Sequence, residues 1–136
     1  MTVFVCLDDH NGMLFNGRRQ SMDSRLREQI LDICAGRLLW MNSYSAGQFS
    51  AGIQNIRVAE DFLENGQAGA YCFVENMDIS PAIELIERIV VFRWNHRYPA
   101  DVYFPIEQFA NRWELVSSKD FEGSSHPIIT QEVYKL

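Results

Sequence analysis

Apolar and polar positions alternate along this chain in blocks, and the blocks predict strands and helices in turn. Val3 to Leu7 is a continuous apolar run closed by Asp8-Asp9-His10-Asn11-Gly12, a buried strand followed by a turn. Met13-Leu14-Phe15 resumes the apolar character until Asn16-Gly17 breaks it. A helix can begin at Ser21 or Asp23, with Leu26, Ile30, Ile33 and Cys34 at three- and four-residue steps and Gly36 as its stop. Arg37 to Met41 predicts a second strand. Asn42-Ser43-Tyr44-Ser45 then offers capping side chains for a short helix over Ala46 to Ala51. Ile56 to Val58 is a third strand, Glu60 to Glu64 a turn of helix ended by Asn65-Gly66, and Ala70 to Val74 a fourth strand, apolar throughout and so central.

Ser80-Pro81 is a helix start with Ser80 as cap and Pro81 in the first turn, and Ile89 to Trp94 is a fifth strand. The style then changes. Trp113 to Val116 and Thr130 to Leu136 read as an antiparallel hairpin joined by the polar loop Ser117 to Pro127. Strand and helix alternating through Trp94 imply parallel strands with crossovers. The expected class is therefore a single three-layer α/β domain, residues 1–136: a mixed, mostly parallel central sheet flanked by helices, with the C-terminal hairpin antiparallel.

Length and composition fit that reading. The chain has 136 residues with 47% hydrophobic content, enough for one substantial core and too few for two. A net charge of −6 and a pI near 5.0 argue against general nucleic-acid binding. Cys6, Cys34 and Cys72 each sit in an apolar run with no CxxC spacing, as buried reduced thiols do. The first ten residues carry neither a basic leader nor a membrane span, so the expected location is the cytoplasm, with no membrane partner.

Candidate chemistry centres on Leu14 to Asp23, LFNGRRQSMD. Arg18 and Arg19 follow the Asn16-Gly17 turn, where planar guanidinium groups suit a carboxylate or phosphate; the plain alternative is a solvated loop or an ion pair with Asp8 or Asp9. Asp23 is either a helix cap or, if buried with a raised pKa, a general acid or base. Asn42, Ser43 and Tyr44 end a strand where open α/β sheets place ligands, although capping also explains them. Ser125-His126 is not read as a nucleophilic pair, because sequence adjacency does not supply apposition. His10, His96 and His126 lack HxH or HExxH spacing, and the HxHxDH motif of a ribonuclease Z-type phosphodiesterase is absent, so no metal site is expected. Trp94, Tyr98 and Tyr103 are expected on an exposed sheet edge that could support a homodimer.

Several segments in order resemble dihydrofolate reductase: Ile89 to Trp94, Ala100-Asp101-Val102-Tyr103-Phe104-Pro105, Trp113-Glu114, Ser125-His126 and a closing strand, preceded by an apolar strand, a long loop, a carboxylate opening the first helix and a strand ending in Met41. The resemblance implies the same fold. It also implies that Asp23 is the buried substrate-orienting carboxylate, and that Asp101 and Ser125 position the mobile loop. The cofactor positions depart from the family. Val74-Glu75-Asn76 replaces a Gly-Gly pair, Asn42-Ser43-Tyr44-Ser45 replaces Gly-Arg-x-Thr, Arg18-Arg19-Gln20 replaces a Pro-Trp, and Phe92 stands where a threonine is expected. Standard NADPH-dependent folate reduction is therefore not expected. The expected function is binding of a small anionic metabolite beside the 14–23 loop through Asn16, Arg18, Arg19, Asn42, Ser43 and Tyr44, with Asp23 as polar anchor or acid. The alternatives are an enzyme, either a reductase with a rearranged cofactor site or a phosphodiesterase, and a structural protein that dimerises through the aromatic edge.

Overall fold

The computed structural model describes residues 1–109 and 111–136. Among these, seven strands form one sheet: β1 (Thr2–Leu7), β4 (Leu39–Met41), β5 (Ile56–Val58), β6 (Tyr71–Phe73), β7 (Arg88–Arg93), β9 (Glu114–Phe121) and β10 (Ile129–Lys135), in the order β5-β4-β6-β1-β7-β10-β9. The strands from β5 to β7 run parallel, and β10 adds to β7 antiparallel and pairs with β9. The chain is thus α/β with a mostly parallel mixed sheet and a C-terminal antiparallel hairpin. The 70–74 strand, expected to be central, is the interior strand β6 between β4 and β1, and β1 is at the middle of the sheet. Its Thr2 to Val5 are buried, as a strand covered on both faces requires.

Alternate residues feed two cores. Val3, Val5, Leu7, Ile89 and Val91 enter one, and Phe4, Phe73, Val90 and Phe92 the other. The second core is closed by α1 (Ser24–Cys34), which contributes Leu26, Ile30 and Cys34. These are three of the four residues predicted by helical spacing; Ile33 is only half-buried.

The first core is not covered by a matching helix layer. Phe62 and Leu63 reach it from turns, Ile79, Ala82 and Ile86 from around a 3-10 helix at Ser80–Leu85, and Met13 and Leu14 from a small separate sheet. The predicted helix at 60–64 is therefore a run of turns. At the 3-10 helix, the Ser80 amide and hydroxyl both donate to Asp78 Oδ1 (2.9 and 2.7 Å), so Asp78 holds the start and Ser80 does not cap it. The short helix expected over 46–51 begins earlier, as α2 (Ser43–Ala46), because Asn42 Oδ1 accepts from the Ser45 amide at 3.0 Å. Ser117 to Phe121, expected in a loop, instead extends β9 to eight residues.

The small sheet joins β2 (Gly12–Phe15), β3 (Arg18–Arg19) and β8 (Val102–Tyr103) in the order β3-β2-β8. β2 and β3 form a hairpin across Asn16-Gly17, whose φ angles of 51° and 72° are both left-handed, as a two-residue turn of the type favoured by Asn-Gly requires. Asp101 Oδ2 accepts from the Asn16 amide at 3.1 Å, which ties the turn to β8.

Candidate functional site

The hairpin lies beside the carboxyl ends of β1, β4, β6 and β7, where Asp8, Asn42, Glu75 and Trp94 follow their strands. Consecutive residues of a strand point to opposite faces, and this separates the two arginines. Arg19 turns inward. Its Nε and Nη2 donate to the two carboxylate oxygens of buried Glu75 (2.9 and 3.1 Å), Nη2 also donates to the Tyr44 carbonyl (3.0 Å), and the guanidinium stacks 4.2 Å over the Tyr44 ring. The Tyr44 hydroxyl accepts from the Arg19 amide at 2.8 Å. Arg18 stays exposed, and among the described residues no carboxylate lies within ion-pair distance of it. The suggested pairing of these arginines with Asp8 does not form. Asp8 is buried and accepts from the amides of His10, Gly12 and Tyr98 and from Gln20 Nε2. Burial alone would raise its pKa, but these four donors hold it below the ordinary aspartate value.

Phe15, Asn16, Arg18, Arg19, Gln20, Tyr98 and Pro99 enclose a cleft of about 470 Å³. Gln20 Oε1 is buried out of contact with solvent, with no hydrogen-bond partner among the described residues. Of the residues expected at one site, Asn16, Arg18 and Arg19 line this cleft. Asn42, Ser43 and Tyr44 do not: Asn42 caps α2 and donates to Asn76 Oδ1 (2.7 Å), the Ser43 amide donates to Glu60 Oε1 (2.9 Å), and Tyr44 braces Arg19.

Asp23 does not line the cleft either. It caps α1, accepting from the Leu26 amide at 3.0 Å, and its other oxygen accepts from the Ser125 amide (2.7 Å) and lies 2.9 Å from Ser125 Oγ. Burial would raise this carboxyl, yet donors from Ser125, Leu26 and Ser124 outweigh it and bring the pKa down to about 2. A raised pKa, the condition for a general acid, is therefore not met. The geometry also joins Ser125 to the segment before α1, since its hydroxyl lies 2.7 Å from the Met22 carbonyl. A Cβ on Gly123 would fall 2.6 Å from Asp23 Oδ2, so the approach of this loop to the helix start depends on glycine.

Sequence reasoning missed the chain of groups that connects Asp23 to the cleft. Ser125 Oγ is 2.8 Å from His126 Nδ1, and His126 Nε2 is 2.6 Å from the Tyr98 hydroxyl. Ionised Asp23 and the Met22 carbonyl only accept, so the single Ser125 hydroxyl hydrogen goes to one of them. His126 must then carry its hydrogen on Nδ1 and accept from Tyr98 through Nε2. Ser125 and His126 are apposed after all, but the serine proton points away from the imidazole, the opposite of an activated nucleophile. Burial against Trp94, whose ring lies 4.7 Å away, pushes His126 below the ordinary histidine value; the Asp23 charge opposes this and His96 adds to it. At neutral pH, ¹⁵N-resolved imidazole spectra are expected to show His126 as the Nδ1–H tautomer; an Nε2–H tautomer would contradict this hydrogen-bond assignment.

The proposed aromatic edge does not form. Trp94 is buried at the end of β7, which is paired on both sides, Tyr98 is half-buried on His126, and Tyr103 alone is well exposed. Cys34 and Cys72 are buried thiols pushed up to about 12, and burial likewise raises Cys6. Among the described residues, no three His, Cys, Asp or Glu side chains gather where they could hold a metal ion, and no helix is long and apolar enough to cross a membrane. Comparison of the chain with models of protein families and with curated proteins gives no match.

Proposed function

We propose that this chain is a divergent dihydrofolate reductase-like protein that binds a small anionic metabolite in the cleft beside residues 14–23. The observation that carries the reading is Arg18, a cation with no carboxylate partner among the described residues, at the rim of a 470 Å³ cleft. Support for the fold family comes from the buried carboxylate at the start of α1 and from the contacts of Asp101 with the hairpin turn and of Ser125 with residues 22–23.

The residues at the expected NADPH positions do not fit that cofactor. Glu75 is a buried carboxylate bound to Arg19, and Asn76 is bonded to Asn42, so charge and side-chain bulk stand where backbone would approach a pyrophosphate.

Calorimetric titration with citrate, a folate analogue and NADPH tests the reading. At least one of the first two is expected to bind. An exposed charge-assisted contact contributes about 1.5 kcal/mol, so Arg18→Ala is expected to weaken that binding about tenfold. Arg57→Ala, on β5, should leave it unchanged. Tight NADPH binding, or affinity indifferent to Arg18, would refute the proposal.

A second reading, turnover with proton donation to the ligand, is favoured by the Tyr98–His126–Ser125–Asp23 chain. Protonated His126 would donate through Nε2–H to the Tyr98 oxygen and release the phenol hydrogen toward a bound group. A phosphodiesterase has less support, because no set of metal-ligating side chains gathers among the described residues.

A further inference from the structure

At the opposite end of the sheet, the amino ends of the parallel strands carry a row of groups that donate hydrogen bonds or positive charge. Tyr71, Thr2, Arg88 and Lys135 are lateral partners on β6, β1, β7 and β10. Residues paired across a sheet project from the same face, so these four side chains stand in line on the α1 side. Arg37, three residues after α1, completes the group, with its Nη1 3.4 Å from the Tyr71 hydroxyl. Together with Gly69, Glu87 and Leu136 they line a cleft of about 650 Å³.

The charge balance of this cleft is unusual for a chain of net charge −6. Arg88 and Lys135 are directly opposed like charges, an arrangement that costs stability when nothing lies between them. Among the described residues, no carboxylate lies within ion-pair distance of Arg37, Arg88 or Lys135. Glu87, next to Arg88, lines the same cleft, but it lies beyond ion-pair distance of these three cations and 3.7 Å from the Met1 ammonium. The hydroxyls on the floor are also biased toward donation. Tyr71 accepts from Arg37 and Thr2 Oγ1 accepts from Arg88 Nε at 3.3 Å, which leaves both hydroxyl hydrogens without an acceptor among the described residues. Thr2 is only 5% exposed, so its hydroxyl is part of the cleft floor.

We propose that this cleft is a second binding site, separate from the one beside the hairpin, and that it takes a phosphate-bearing small molecule. Two guanidinium groups supply planar forks for phosphate oxygens, Lys135 supplies a point charge, and Thr2 and Tyr71 supply neutral donors. The acidic remainder of the surface disfavours a long nucleic acid and leaves a compact anion as the fitting occupant.

Pyrophosphate is the probe. Calorimetry at low ionic strength is expected to show it binding wild type and Arg18→Ala alike, and Arg88→Gln and Lys135→Gln at least tenfold more weakly. Because each of these substitutions removes half of a like-charge pair, the ligand-free variants are expected to melt no lower than wild type, which separates lost binding from lost folding. Sodium chloride at equal ionic strength should not reproduce the thermal stabilisation that pyrophosphate gives to wild type. No binding by wild type, binding unaltered by both substitutions, or equal stabilisation by chloride would overturn the proposal. Loss of pyrophosphate binding in Arg18→Ala alone would assign it to the hairpin cleft instead.

Discussion

Asp23→Ala is expected to lower the unfolding free energy by about 3 kcal/mol. Loss of the α1 cap costs about 1 kcal/mol, and a Ser125 amide left buried without its acceptor costs about 2 kcal/mol more. The same carboxylate gives an acid signature. Its pKa in the folded chain is about 2, against 3.8 for the free group, so the unfolded chain binds the proton first. The stabilisation, about 2 kcal/mol, is complete above the unfolded value and disappears as pH falls through the folded one, between about pH 4 and pH 2. Asp23→Asn keeps a cap acceptor and removes the titration, so its stability should be flatter than that of wild type across this window. Urea unfolding at a series of pH values measures both effects. Parallel pH profiles for Asp23→Asn and wild type would show that the hydrogen bonds to Asp23 are not what holds the loop at Ser125.

Glu75→Leu is expected to cost about 3 kcal/mol, because it leaves the Arg19 guanidinium, 20% exposed, without its bidentate partner. Arg19→Met should cost a similar amount by stranding Glu75, which is less exposed still. The double variant is expected to lie within about 1 kcal/mol of wild type, since two apolar side chains of similar size can replace a desolvated ion pair at little net cost. A double-mutant cycle in urea reads the coupling, and additive losses would show that the pair does not act as a unit. The cycle also bears on function: among the described residues Arg19 Nη1 has no oxygen partner and only the Met22 sulfur 3.9 Å away, so Nη1 is the guanidinium nitrogen open to a ligand.

The strands that form the centre of the sheet were legible because burial on both faces leaves unbroken apolar runs, as in VFVCL and IVVF. The hairpin was not. Its flanks, Met13-Leu14-Phe15 and Arg18-Arg19, do not alternate, so Asn16-Gly17 reads as a turn into a loop, whereas it joins two strands. That misreading placed both arginines on one surface. The second half of β9, Ser117 to Phe121, was hidden for a related reason: an edge strand exposed along almost its whole length can be written as polar SSKDF without a core face to betray it.

The site was legible in part. A carboxylate at a helix start is visible in sequence, and Asp101 and Ser125 both hydrogen-bond to the 14–23 segment, Ser125 through Asp23 and Met22. The pairing of Arg19 with Glu75 joins residues 56 apart, and the link from His126 to Tyr98 spans 28, with no local pattern to announce either. Gln20, which lines the cleft, and Asp8, which accepts from Gln20 and from the Tyr98 amide, carry no local signal that separates them from surface polar residues.

The central position of β1 also governs the order of assembly. Its partners are Tyr71 to Phe73 and Arg88 to Arg93, so the innermost strand of the sheet is also the first in the chain and must wait for both. Val3 to Leu7 has no partner strand until Tyr71–Phe73 has been synthesised, since α1 and β4 provide none, and its other edge stays open until Arg88–Arg93 follows. Closing such distant pairs makes folding slow relative to a helical chain of this length. During that interval, VFVCL is the segment most exposed to mispairing with another chain and the one a chaperone would hold.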